Sequence, residues 1–223
     1  MKYALTALLL FGAACSSSLV NYEARTHIVQ PGETLYTIAW RHGVDYRSLA
    51  AWNSLSDPDL IFVGQQIRLS ALPRSTRSAN PRPTASQTVR TPRPLSAPPN
   101  LPAPRWLRPT DGTIVSEYGD NSAIASGIGI SGRAGQPVVA AASGRIVYAG
   151  SGLIGYGQLV IIKHNDTYLS AYGHNRRLLV DQAQEVQRGE QIAEMGLNSQ
   201  RRPRLHFEIR RNGQPIDPTP LLR

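Results

Sequence analysis

The sequence predicts two small folded regions of different class: an α+β module over residues 25–70, built as strand, helix, helix and strand, and a mainly antiparallel β domain over residues 106–223. A disordered, basic, Pro-rich linker over residues 71–105 is expected to join them. Three observations carry this division. Between Arg25 and Leu69 apolar residues recur at helical spacing inside two short strand-like runs. Between Ala71 and Arg108 lie seven arginines and no Asp or Glu, in a stretch of Pro, Ser, Thr and Ala without apolar periodicity. Beyond Trp106, short apolar runs alternate with turn residues, and no helix-length period competes with them.

At the N-terminus, Met1 and Lys2 precede an apolar run from Tyr3 to Phe11 that ends in Gly12-Ala13-Ala14-Cys15. The run is too short to span a bilayer and reads as a secretory signal segment over residues 1–15. A buried first helix would need a polar face, which this run lacks. Cys15 is the only cysteine, so no disulfide framework is available. Its place after small residues resembles the lipidation box of bacterial lipoproteins, with Gly12 standing where a larger aliphatic residue is usual. The resemblance implies a membrane held through a lipid anchor on Cys15; a free thiol in or near a cleaved peptide is the alternative.

A formal charge of +9 calls for an anionic partner or surface. Nucleic acid is the usual partner of a basic tail, but an exported chain meets phospholipid headgroups and cell-wall polymers instead, so no nucleic acid is expected. The linker composition cannot bury enough apolar surface to fold. Its arginines either touch such polyanions or only keep a solvated spacer soluble.

In the first region Thr26-His27-Ile28-Val29 is a strand stopped by Pro31-Gly32. Glu33-Thr34 opens a helix through Leu35, Ile38, Ala39 and His42; Gly43 ends it, and Asp45 caps a second helix carrying Leu49, Ala50 and Trp52. Val63-Gly64 leads into a closing strand, Gln66 to Leu69. The run His27-Ile28-Val29-Gln30-Pro31-Gly32-Glu33-Thr34-Leu35, with Ile38-Ala39, Asn53-Ser54-Leu55 and Val63-Gly64-Gln65-Gln66-Ile67, resembles a LysM module over the whole segment. That resemblance implies binding of N-acetylglucosamine-containing glycans between a loop at Gly32, Glu33, Thr34 and Leu35 and a second loop near Leu60 and Ile61.

The second region offers strands at Thr113–Tyr118, Pro137–Ala140, Arg145–Ala149, Gln158–Lys163, Tyr168–His174, Gln191–Met195 and Leu205–Ile209, with hairpin turns at Asn165-Asp166 and Asn212-Gly213. Leu205, Phe207 and Ile209 alternate with Arg204, His206, Glu208 and Arg210, which sends one set to a core and the other to a groove or solvent.

Three segments carry a second resemblance: Gly127-Ile128-Gly129-Ile130 with Gly135 to Gly150, Ser170-Ala171-Tyr172-Gly173-His174, and Leu205-His206-Phe207-Glu208-Ile209-Arg210. They are similar to the lysostaphin-type zinc endopeptidases, which implies a duplicated-hybrid-motif-like β fold. Active members hold zinc with a His, an Asp four residues on and the second His of a His-x-His pair, while a lone His and the first His of the pair assist catalysis. Carried onto this sequence, those positions fall on Ala125, Gly129 and His206 for the ligands and on His174 and Arg204 for the assisting pair. A catalytic zinc needs three protein donors and an open fourth site. Ala125 and Gly129 donate nothing, and Arg204 adds a fixed positive charge. Glu117 and Asp120 precede Gly129 by at least nine residues and are poor replacements. No metal, no other cofactor and no catalytic residue are therefore expected. Tyr172, His174, Arg204 and His206 become candidates for a groove that binds a protein partner.

The order of parts, with Gly155-Tyr156-Gly157 and Ile161-Ile162-Lys163-His164-Asn165-Asp166, resembles the NlpD group of murein hydrolase activators. The resemblance implies a periplasmic, outer-membrane lipoprotein of a Gram-negative bacterium that binds peptidoglycan and activates N-acetylmuramoyl-L-alanine amidases while daughter cells separate. A pure wall-tethering protein and an active metallopeptidase are the other readings.

Overall fold

The computed structural model describes residues 26–71, 100–120 and 125–222. The expected signal segment with Cys15, and residues 72–99 of the expected linker, lie outside the described residues.

The first region folds as its sequence predicts. Strand β1 (Thr26–Ile28) leads to helix α1 (Leu35–His42), then α2 (Tyr46–Trp52), then strand β2 (Gln66–Arg68), which pairs antiparallel with β1. The Thr34 hydroxyl accepts from the Thr37 N–H, and the Thr37 hydroxyl accepts from the Thr34 N–H, a reciprocal cap that satisfies two otherwise orphaned donors of α1. Gly43 ends α1 at φ +64°, where a Cβ would be strained. The Asp45 carboxylate then caps α2 by accepting from the Arg47 N–H.

The second region forms one twisted antiparallel sheet from β3 (Ile114–Ser116), β4 (Ile128–Ser131), β5 (Pro137–Val139), β6 (Gly144–Gly150), β7 (Gln158–Lys163), β8 (Tyr168–Leu178), β9 (Glu185–Val186), β10 (Gln191–Met195), β11 (Arg204–Arg211) and β12 (Gln214–Ile216). The central order is β3-β4-β11-β8-β7-β6-β9, with β10 joining β5 and β8 and with β12 on β11. Both expected hairpin turns are present; Asn212 (φ +49°) and Gly213 (φ +78°) take the left-handed pair that such a turn requires. Strands β4, β9 and β12 were not among the expected strands: β4 and β12 are short and interrupted by Gly129 and Pro215, and β9 is two residues long. Described residues ahead of Trp106 also contact the sheet domain. Asn100 accepts from Arg211, the Leu101 N–H donates to the Thr167 hydroxyl, and the Asn165 amide donates to the Pro102 carbonyl.

The sheet is buried on both faces. One face, with Ile146, Val160, Ile162, Tyr172, Phe207 and Ile209, closes over the domain's own core. The other, with Val147, Tyr148, Leu159, Ile161, Leu169 and Ala171, packs against Leu35, Ile38, Trp40, Tyr46 and Leu49 of the helical module in a single apolar cluster. Backbones meet closely there. A Cβ at Gly213 would lie 2.6 Å from the Val44 carbonyl and the Asp45 nitrogen, so only glycine lets this turn reach the loop between α1 and α2.

This docking corrects the expectation for the alternating row on β11. Leu205, Phe207 and Ile209 do face the core, but Glu208 and Arg210 are only 0% and 5% exposed: Ser126, Tyr156 and His206 close over Glu208, and Trp40 of α1 stacks on Arg210. The Arg210 guanidinium lies 3.6 Å from the Trp40 ring centre, donates to the Trp40 carbonyl at 2.8 Å and to Glu208 Oε2 at 3.2 Å. The Trp40 indole N–H donates to the Tyr156 hydroxyl at 3.2 Å, and that hydroxyl donates to Glu208 Oε1 at 2.7 Å.

Two expected outcomes test these contacts. Arg210→Ala leaves a buried carboxylate without its cation and should cost about 3 kcal/mol in urea unfolding of the full chain. Trp40→Ala should be less than additive with it, by about 1 kcal/mol or more in a double-mutant cycle; strict additivity would mean the stack does not hold the modules together. The second test concerns His164, whose ring is held between the Ser143 carbonyl (2.8 Å) and the Ser170 hydroxyl (2.7 Å), 4.9 Å from the Trp106 ring and nearly perpendicular to it. Burial pushes its pKa from 6.5 down to about 4. The neutral ring is the folded form, so its stability is complete above pH 6.5 and is lost as pH falls toward 4, on the order of 3 kcal/mol in all. Urea midpoints measured across that interval should fall, and His164→Gln should reduce the slope, the remainder being carried chiefly by His174, whose pKa is lowered over the same interval.

Candidate partner cleft and glycan loop

A cleft of about 830 Å³ opens at one end of the sheet. Its floor is a row of register partners: Ser116 opposite Gly129, Gly129 opposite His206, and His206 opposite Gly173. Period-two alternation on β11 puts Arg204 and His206 on this one face. Of the expected site positions, Ala125, Gly129, His174, Arg204 and His206 all line the cleft.

His174 arrives by a local irregularity. Tyr172 pairs with Val160 and Asn175 with Gln158, so β8 holds one residue more than β7 between these pairs. The extra residue makes a bulge, and His174 within it sits at φ +62°. A non-glycine residue in that region is strained by roughly 1–3 kcal/mol, and the bulge re-aims its side chain into the cleft. The imidazole stands 6.0 Å from that of His206, centre to centre. Burial, His206 and the charge of Arg204 together lower its pKa to about 4, so it is neutral at pH 7.

The residues present do not fit a zinc ion. Among the described residues no three His, Cys, Asp or Glu side chains converge. His206 commits Nε2 to Glu208 Oε1 at 2.8 Å. At Gly129 an added Cβ would collide with the Ser116 hydroxyl and lie 2.9 Å from Arg204 Cδ, so the stem of Arg204 fills the space a carboxylate would need. Neither Glu117 nor Asp120 lines the cleft. Arg204 forms no ion pair among the described residues, which leaves its charge to whatever enters.

Behind the floor lies Glu208. Its Oε1 accepts from the Ser126 hydroxyl (2.6 Å), the Tyr156 hydroxyl (2.7 Å) and His206. Burial opposes ionisation, but the His206 hydrogen bond and the Arg210 charge prevail and bring its pKa to about 2.

Tyr172 does not belong to the cleft. It is wholly buried, 5.3 Å from Phe207 ring to ring, and its oxygen accepts from the Ala141 N–H and lies 2.9 Å from the Ser170 hydroxyl. The bulge at Gly173-His174 explains the displacement: Tyr172 precedes it and faces the core. Sequence reasoning missed Ser126, Ile154 and the Asn198–Gln200 turn as lining residues, and Tyr156 too, although Gly155-Tyr156-Gly157 carried part of the resemblance.

In the helical module Gly32 sits at φ +79° in the turn after β1. The Val29 N–H donates to the Gln65 carbonyl and the Gly64 N–H to the Val29 carbonyl, which sets this turn beside the loop entering β2. Glu33 is held by His27 at 2.6 Å and by Arg41. Thr34 is spent on the cap, and the side chain of Leu35 is wholly buried, so Leu35 can offer a ligand only backbone. Leu60 is exposed and Ile61 half-buried.

Two family models match the chain: the LysM domain over residues 27–70 and Peptidase family M23 over residues 123–218. The lipoprotein NlpD/LppB homolog of Pseudomonas aeruginosa is 44% identical over 86% of this chain and 75% of its own length. The murein hydrolase activator NlpD of Salmonella dublin is 36% identical over 86% of this chain and 67% of its own length. The uncharacterized lipoprotein YgeR of Escherichia coli is 38% identical over 91% and 83%. With both modules in the same order and identity sustained through them, the chain belongs to the NlpD/LppB family of lipoproteins.

Proposed function

We propose that this protein is a non-catalytic envelope protein that binds peptidoglycan and activates an N-acetylmuramoyl-L-alanine amidase during cell-wall splitting at division. The observation that carries the reading is a well-formed cleft in which Ala125 and Gly129 supply no donor while Arg204 supplies a cation with no ion pair among the described residues. Such a cleft binds a partner segment instead of cutting it. Binding energy spent on one state of a self-inhibited enzyme raises the population of that state without chemistry in the activator. Relatives named murein hydrolase activators support it.

In this reading the LysM module holds a glycan strand through the backbone at Gly32, Glu33 and Thr34 with Leu60 and Ile61 as apolar contacts, and a lipid on Cys15 fixes the chain to the periplasmic side of the outer membrane. Arg204, His174 and His206 meet the amidase. A pure tether would need the first half of this arrangement and no cationic cleft.

The test is Arg204→Glu in the full chain. Amidase activation should fall by roughly thirtyfold, equivalent to about 2 kcal/mol, if Arg204 meets a carboxylate. Pelleting with insoluble peptidoglycan should be unchanged. Undiminished activation would move the partner surface elsewhere. Separately, Gly32→Val forces a β-branched residue into a left-handed turn that is open to solvent. It should weaken pelleting at unchanged circular dichroism, and equal pelleting would remove the Gly32 turn from the sugar site.

A further inference from the structure

The loop between β6 and β7 holds the most exposed apolar side chain among the described large hydrophobic residues: Ile154 is 99% exposed. Its exposure is not looseness. Leu153 beside it is 4% exposed, packed into the cluster shared with the helical module. Tyr156 two residues on is pinned by Trp40 and Glu208, and its carbonyl accepts from the His174 N–H at 2.7 Å. The Gly152 N–H donates to the Tyr148 hydroxyl at 2.6 Å. The loop is thus fastened on both sides of one isoleucine that is almost fully exposed. Ile154 stands on the rim common to the main cleft and to a second depression of about 380 Å³ at the module junction, lined also by Trp40, Arg41 and Arg210. No Asp or Glu lines either space. Arg41 is already paired with Glu33 and Arg210 with Glu208, so among the described residues Arg204 carries the open charge of this lining.

We propose that Ile154 is the apolar anchor of the partner surface, and that its occupant is an acidic amphipathic segment of the activated enzyme, with an apolar patch over Ile154 and a carboxylate toward Arg204. This rests on the activator reading and deepens it. A rigidly presented apolar side chain beside a cation is the composition of an interface centre, where a few side chains carry most of the affinity. Single exposed hydrophobic residues are common on protein surfaces; the fastening of this one and its place on the cleft rim set it apart.

The experiment measures amidase binding and activation by the full chain and by Ile154→Ser and Ile154→Leu, with thermal midpoint and peptidoglycan pelleting as controls. Ile154→Ser should weaken amidase affinity at least tenfold, Ile154→Leu by no more than about twofold, and neither should move the midpoint or pelleting, since the side chain supports nothing in the fold. Affinity of the wild type should fall with added salt, as an acidic partner requires. Wild-type binding that Ile154→Ser leaves intact overturns this inference alone. Absence of any binding by the wild type removes the activator reading and the inference with it. Self-association of the wild type in sedimentation, abolished by Ile154→Ser, would assign the surface to a second copy and overturn the proposal.

Discussion

A wholly buried carboxylate governs this structure. Glu208 has no water to solvate it, and an isolated charge in such a place would neutralise or unfold its surroundings. It remains ionised because Oε1 accepts from Ser126, Tyr156 and His206, while Oε2 accepts from Arg210. Each donor in turn belongs to a different part of the molecule. Ser126 precedes β4, Tyr156 lies in the β6–β7 loop, His206 is the cleft floor, and Arg210 is capped by the helical module through Trp40. Removing any of them leaves a buried charge short of a partner, which is costlier than the bond it made. Cleft and helical module are therefore held in register by one group.

The same logic explains why the two modules make a joint core and not beads on a string. Strand β7 reads Leu159-Val160-Ile161-Ile162, apolar at every position, where a strand with one wet face would alternate. Its odd and even residues enter different clusters, one belonging to the sheet domain and one shared with α1. The exposed ion pair Arg145–Asp59 at the edge, 2.9 Å long, adds little to this. The apolar face, the close approach at Gly213 and the Arg210–Trp40 stack do the holding.

How much of this the sequence made legible depends on the range of the interaction. Helices α1 and α2, with the first opening at Glu33-Thr34, the cap at Asp45 and the stop at Gly43, follow from contacts within a few residues and were readable. So were β10 and the two hairpin turns. The lining positions Ala125, Gly129, His174, Arg204 and His206 came through family spacing, and the sheet register brings them together. Tyr172 was carried to the groove with His174 by the family resemblance, but the bulge after it shifts the phase, so Tyr172 faces the core while His174 faces the cleft. Arg210 was sent to a groove or solvent because its cover, Trp40, lies 170 residues earlier in the chain, and Glu208 with it because Ser126 and Tyr156 reach it from distant loops. No local pattern announces that. The run at β7 was the available signal: it says that something covers the second face, though not what.

Rigid docking also changes what a glycan-bound helical module can do for the cleft. A flexible tether raises local concentration and leaves orientation free, with a gain set by linker length. Here the proposed sugar turn is bonded through Glu33 to Arg41, Arg41 follows Trp40 on α1, and Trp40 is bonded to Tyr156 on the cleft wall. A strand of glycan seated at Gly32 would lie at a fixed offset and angle from the groove. An enzyme held in that groove would then be presented to the same strand in one orientation, which is an advantage of alignment over and above proximity. Any spacer preceding the helical module would serve to let this fixed unit reach the wall, and a spacer between two already docked modules could lengthen or shorten without altering the geometry that faces the partner.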